Sequence, residues 1–183
     1  TSKARGEYLA ILDCDDLWSS TKLQKQVAFM RQYPQMAFCF SDCEYLDPDG
    51  HVTGTAFART PPPREGQTLY RALLTRPNFM LCPTLLFRTD AVRMAGSFRL
   101  IFRSAETYDL CVRLANAQMA GWLNWPLAGH RRHPGQYNGK GKAAIYGEVL
   151  HVMLEHRAGA SWAQVKREIG LWGKYAVKTL AHS

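Results

Sequence analysis

Ile11-Leu12-Asp13-Cys14-Asp15-Asp16-Leu17-Trp18 is the stretch on which the fold reading turns. It closes the apolar run Tyr8-Leu9-Ala10-Ile11-Leu12 with three carboxylates. A short apolar run of this kind reads as a buried strand that delivers polar side chains at its C-terminal end. In an open α/β sheet, ligands bind beyond the carboxyl ends of the strands. Closely spaced carboxylates repel one another unless a cation neutralises them. Mg²⁺ and Mn²⁺ are hard ions that take carboxylate oxygens and leave coordination positions for phosphate oxygens. The competing reading is a solvated acidic turn that caps the next helix. The order strand, acidic cluster, Leu-Trp, capped amphipathic helix favours a metal site at Asp13 and Asp15.

Downstream, Ser19, Ser20 and Thr21 offer an N-cap. Leu23, Val27 and Met30 follow at helical spacing, and Pro34 closes the helix. Residues 37–40 read as a second strand, and Asp47-Pro48-Asp49-Gly50 as a turn. Residues 54–66, with three consecutive prolines, read as an irregular loop. Leu69, Leu73 and Leu74 suggest a short helix. A third strand is expected at 84–87, a short helix from Thr89 to Gly96, a longer helix at 105–119 and a last strand near 127–131. After Pro134, glycines punctuate a link to two helical patterns, one carried by Ile145, Val149 and Val152. The other opens with the capping-box form Ser161-Trp162-Ala163-Gln164. Strands alternating with helices argue α/β architecture. Trp122, Trp125, Trp162 and Trp172 are expected in the core rather than on an exposed stacking surface.

Composition narrows the classes. The 183 residues carry 46% hydrophobic and 21% charged residues, ordinary for a globular chain of one domain or slightly more. No run approaches the length of a membrane span, and the polar start Thr1 to Glu7 does not resemble a signal peptide. The five cysteines lack CxxC spacing and read as free thiols of a reducing cytosol rather than zinc ligands. The net charge of +8 suits solubility, an anionic small molecule or an anionic surface. No dense basic run with interleaved aromatics is present, so nucleic acid is not expected as a partner.

Five strings in order carry a family resemblance. Arg5-Gly6-Glu7-Tyr8 leading into Leu12 through Trp18, then Lys22-Leu23, resembles the family 2 glycosyltransferase stretch G-E-Y-I-A-F-L-D-A-D-D-x-W-x-P-x-K-L. Pro83-Thr84-Leu85-Leu86-Phe87-Arg88 is similar to that family's acceptor-side strand, and Ala95-Gly96-Ser97-Phe98 to its x-G-x-F turn. Ala105-Glu106-Thr107-Tyr108-Asp109-Leu110 with Arg113-Leu114 resembles E-D-x-D-L-x-x-R-L, and Arg131-Arg132-His133-Pro134 resembles Y-R-x-H. The resemblance implies the C-terminal part of a GT-A domain (a Rossmann-like nucleotide-diphospho-sugar transferase) over 1–138, followed by a helical extension over 139–183. The family's opening segments, P-x-x-N and V-D-D-G-S-x-D, are absent, so roughly 80 to 90 residues are expected to precede this stretch in a complete domain.

By the same resemblance, Asp13-Cys14-Asp15 is the DxD motif. Asp13, Asp15, Asp16, Arg131 and His133 contact the donor, a nucleotide-diphosphate sugar, and Asp15 with Asp13 holds Mn²⁺ or Mg²⁺. The acceptor is a saccharide or a lipid-linked saccharide, and the location is cytoplasmic, with peripheral contact at the inner face of a membrane. Transfer proceeds with inversion and needs a carboxylate base. The family's base position falls on Thr107, which cannot serve at neutral pH. Glu106 is the substitute and Asp109 a further candidate; Glu106 also reads as a helix N-terminal residue complementing the macrodipole. His130 and His133, flanking two arginines, read either as leaving-group stabilisers or as part of an exposed basic loop. Two other readings compete. A haloacid-dehalogenase-type phosphatase would need Thr where Leu17 stands. A degenerate, non-catalytic remnant that packs against a partner is favoured by Thr107.

Overall fold

The computed structural model describes residues 3–64, 67–75, 79–133 and 142–156. One six-stranded sheet organises them. Its strands are β1 (Tyr8–Leu9), β2 (Leu17–Trp18), β3 (Met36–Leu46), β4 (Val52–Thr55), β5 (Leu86–Arg88) and β6 (Met119–Arg131). The order is β1-β5-β3-β6-β2, with β4 also paired to β3. β3 and β6 run parallel, and the other pairings are antiparallel. It follows that β1, β3 and β6 point the same way, and their C-terminal ends share one side of the sheet.

The helices are α1 (Lys22–Gln32), α2 (Ala56–Arg59), α3 (Leu69–Thr75), α4 (Thr89–Met94), α5 (Glu106–Ala117) and α6 (Lys142–Glu155), with a 3₁₀ turn at Cys82–Thr84. Central β3 is buried along almost its whole length because it is paired on both edges and covered on both faces. Alternation of its side chains sorts the two sides. Phe38 and Phe40 join Phe87, Leu110, Leu114, Val149 and Val152 under α5 and α6. Cys39 joins Met30, Leu86, Leu123 and Leu127 under α1. The architecture is therefore α/β in layers, with α1 on one face and α3, α5 and α6 on the other. The C-terminal pattern of Val149 and Val152 belongs to the main core, and the pattern at 161–172 lies outside the described residues.

Several expectations are corrected. The apolar run 8–12 contributes only a two-residue edge strand: β1 has one neighbour, and Leu12 is 47% exposed. The loop expected at 54–66 opens with β4 and α2, because Thr55 caps α2 by accepting from the Ala58 amide at 3.3 Å. The last strand begins at Met119, well before 127, since its first half pairs with β3 from Met36 onward. Trp125 is 56% exposed rather than core. The register passes from Ser41↔Leu123 to Asp42↔Pro126, so Asn124 and Trp125 form a bulge thrown outward, and Lys25 Nζ lies 5.0 Å from the Trp125 ring. In α1 the buried positions are Lys22, Gln26 and Met30, while Leu23 faces solvent.

Candidate functional site

Three segments bring ionisable groups to one cavity of about 590 Å³. The turn after β1 supplies Asp13 and Asp16, the end of β6 supplies His130, and the first turn of α5 supplies Glu106 and Thr107. The 81–85 segment, Phe98, and Ile145 and Tyr146 of α6 complete its walls. The cavity thus opens at the common C-terminal side of β1 and β6, where an open α/β sheet binds ligands.

Asp16 is the buried member of the acidic cluster. Its Oδ1 accepts from His130 Nδ1 at 2.9 Å and from the Arg131 amide at 3.2 Å. Its Oδ2 is buried with no hydrogen-bond partner. Asp15 does not line the cavity; its Oδ2 accepts from His133 Nε2 at 3.2 Å, and this bond is the main reason its pKa lies below the ordinary value. Asp13 is exposed as a residue, yet its carboxyl meets the cavity wall. Desolvation there, followed by repulsion from Asp16 and Asp15, raises its pKa. Arg131 Nη1 donates to the Pro48 carbonyl at 3.0 Å, so that side chain reaches toward the β3–β4 turn.

The N-terminus of α5 is held by α6. The Glu148 carboxylate accepts from the amides of Arg103, Ser104 and Ala105 at 2.8–3.1 Å, an anion seated on three successive amides that lead into α5, the last of them its N-cap. That anchorage delivers Glu106 inward. Its Oε1 accepts from Thr107 Oγ1 at 3.3 Å, and its Oε2 is buried without a partner. Asp109, three residues on, has the opposite environment. It is fully buried, lies outside the cavity lining, and both oxygens are engaged. Arg99 Nη2 bonds its Oδ1, while Arg99 Nε, Arg113 Nε and Arg113 Nη2 donate to Oδ2 at 2.8–3.0 Å. A carboxylate so saturated cannot take a proton from a ligand. Of the two candidate bases, the structure brings Glu106 to the cavity and keeps Asp109 as a core ion-pair centre.

The carboxylates facing the cavity form an oxygen-only set with an orphaned, buried Asp16 Oδ2, which fits a hard divalent cation in the company of phosphate oxygens. Among the described residues, one three-residue group already has its ligand atoms within 4.8 Å of one another, and it lies elsewhere: Asp47, Asp49 and His51. This is a candidate acidic and histidine cluster able to coordinate a metal. Its closeness has a local cause, because Asp47 Oδ1 accepts from the amides of Asp49 and His51 at 3.0 and 2.8 Å within the β3–β4 turn.

Comparison with known proteins gives the family. The family model described as Glycosyl transferase family 2 matches residues 1–102, more than half of the chain. The chain belongs to glycosyl transferase family 2. An uncharacterized protein of Mycobacterium bovis and one of Mycobacterium tuberculosis are each 28% identical over 191 residues, covering 92% of this chain and 53% of the relative. A UDP-Glc:alpha-D-GlcNAc-diphosphoundecaprenol beta-1,3-glucosyltransferase of Escherichia coli is 34% identical over 86 residues, covering 47% of this chain and 31% of that protein. The crystal structure of S. aureus TarS superposes with a TM-score of 0.56 at 18% identity over 92% of this chain and 28% of that one, which shows a shared GT-A-like fold. The chain spans about half the length of the mycobacterial relatives it matches.

Within this family 2 chain, the matched stretch holds the DxD segment and the 81–88 segment, while Glu106 and His130 lie beyond it. Sequence reasoning passed over the inward role of α6. In the sequence only Ile145, Val149 and Val152 read as the apolar face of an appended helix, and neither Glu148 nor Tyr146 is singled out. No helix among the described residues is long and apolar enough to cross a membrane.

Proposed function

We propose that this chain carries the DxD end and the base of an inverting, metal-dependent transfer of sugar from a nucleotide-diphosphate sugar to an acceptor hydroxyl. The observation that carries the reading is Glu106: a carboxylate that lines the same cavity as Asp13 and Asp16, and whose buried Oε2 has no partner. A general base needs a free lone pair within reach of the proton it takes. In the reaction, the acceptor oxygen bonds the anomeric carbon as its proton passes to the Glu106 carboxylate. The bond from that carbon to the diphosphate oxygen breaks, and the diphosphate leaves with the electron pair.

Asp13 and Asp16 at the cavity are the groups that would hold Mn²⁺ or Mg²⁺, joined by Asp15 of the same turn, whose Oδ2 in this structure is turned to His133 outside the cavity lining. Bound there, the ion supplies positive charge to the departing diphosphate. His130 and His133 orient Asp16 and Asp15 through the hydrogen bonds described, and Arg131 supports Asp16 through its amide. The Escherichia coli relative, named for UDP-Glc and a diphosphoundecaprenol-linked sugar, supports a nucleotide-sugar donor and a lipid-linked acceptor. Such an acceptor would bring peripheral contact with a membrane.

The test is titration of the intact protein with UDP-glucose, with and without Mn²⁺, followed by turnover on a diphospholipid-linked saccharide. Metal-dependent donor binding with Glu106-dependent turnover is the expected result. Absence of both would favour the non-catalytic packing role that Thr107 in the base position suggests.

A further inference from the structure

Trp18, Lys22 and Gln26 are spaced four apart and donate to three consecutive backbone carbonyls. Trp18 Nε1 reaches the Pro83 oxygen at 2.9 Å, Gln26 Nε2 the Thr84 oxygen at 2.8 Å, and Lys22 Nζ the Leu85 oxygen at 3.3 Å. Lys22 also stands 4.4 Å from the Trp18 ring centre. Lys22 and Gln26 are wholly buried. Among the described residues, no carboxylate faces the ammonium. Its charged or titratable surroundings are the Cys39 thiol from β3 and the Cys82 thiol from the 3₁₀ turn. Gln26 Oε1 is buried with no partner.

A fold seeking stability alone would place apolar side chains at positions 22 and 26. A buried ammonium without a counter-ion and a half-satisfied buried amide both cost stability. What the arrangement gains is local order. A 3₁₀ turn is short and has poor internal hydrogen-bond geometry, so external donors decide where its carbonyls sit. The far side of this turn faces the cavity, where Leu81, Cys82 and Pro83 lie opposite Glu106. Trp18 follows Asp16 by two residues, so the first rung is tied directly to the acidic cluster.

We infer that Trp18, Lys22 and Gln26 are positioning residues, a three-rung ladder that holds the cavity wall at residues 81–85 in fixed register with the acidic turn of Asp13 to Asp16. The ladder goes beyond the glycosyl-transfer reading. Only its kinetic consequence rests on that reading: a loosened wall raises the acceptor KM and leaves donor affinity unchanged.

The test is Lys22→Met, which keeps the length and removes the charge. Thiol alkylation followed by mass spectrometry reads Cys82, a slow thiol because burial pushes it up to about 12. Labelling of Cys82 should accelerate about tenfold or more as the segment opens locally, while Cys39, Cys43 and Cys111 stay protected. A second measurement needs no variant. The Trp18 indole N–H resonance should titrate with a midpoint near Lys22's value of about 8, where burial has lowered the ammonium. The inference is overturned if Cys82 labels at the unsubstituted rate in Lys22→Met. It is equally overturned if all the buried thiols open together, or if the Trp18 resonance stays flat through pH 7–9. If Cys82 labelling responds and no sugar transfer is ever detected, the ladder stands and the transferase reading falls.

Discussion

Glu106 and Asp109 share a helix and differ in everything that matters chemically, so exchanging each for its amide separates a stability group from a catalytic one. Asp109→Asn removes the charge from a wholly buried group that two guanidinium groups contact through both oxygens. The amide keeps one acceptor oxygen and turns a donor toward Arg99 or Arg113. Charge-assisted hydrogen bonds are worth about 1.5–3 kcal/mol each, and breaking a fully buried pair costs about 3–5 kcal/mol. The Arg99 and Arg113 side chains retain 31% and 16% exposure, so water recovers part of the loss. The lower end, about 3 kcal/mol, is the expected cost, which for a chain of this size lowers Tm by about 6–12 °C. Glu106→Gln removes a buried carboxylate whose Oε2 has no partner. Its melting temperature should stay within about 2 °C of the parent, since the long hydrogen bond from Thr107 Oγ1 at 3.3 Å can be kept by the amide oxygen and Oε2 has no partner to lose. Calorimetric melts of both variants at pH 7 decide the matter. An Asp109→Asn melt within 2 °C of the parent, or a larger drop for Glu106→Gln, would refute the assignment of the two carboxylates.

Further outcomes are expected. Glu106→Gln should lower turnover by about 10² or more with donor affinity nearly unchanged, measured by steady-state kinetics and calorimetry, as for loss of a general base. Asp15→Asn should weaken Mn²⁺-dependent UDP-glucose binding; unchanged titration curves would remove Asp15 from the metal site. For Glu148, burial pushes the carboxyl up, but the amides of Ser104, Arg103 and Ala105 more than offset it and hold its pKa below 4.5. Its contribution is therefore complete above the unfolded-state value and lost as pH falls through the folded one, so the stability gap between parent and Glu148→Gln should narrow below pH 4.5 in urea titrations. Lys22 has the opposite sense. Lowered from 10.5 to about 8, it destabilises fully below pH 8, and the stability gained by Lys22→Met should shrink by about 3 kcal/mol as pH rises toward 10.5.

The sequence by itself determined the family and the α/β class and set three carboxylates in one short stretch, because these depend on local order: a DxD string, further strings in family order, a turn with Pro and Gly. α4 and α5 were legible for the same reason, since helical periodicity is written within a few turns. The N-cap expected at Ser19 to Thr21 is not made, since Thr21 at the start of α1 gives no side-chain cap bond. What only the tertiary structure decided are relations between distant segments. Glu106 and Asp109 sit about 60° apart around a helix, too close for periodicity to tell cavity from core. Arg99, Arg113 and Glu148 made that choice by packing around them. Helical spacing in α1 points to Leu23, Val27 and Met30 as its inner face, yet Leu23 is exposed while Lys22 and Gln26 are buried, because the carbonyls of residues 84 and 85 accept from them. Trp125 read as core and is exposed because a bulge in β6, set by the register with β3, turns it outward. In each case a long-range partner supplied the energy that reversed the local preference, and no window of sequence contains both members of such a pair.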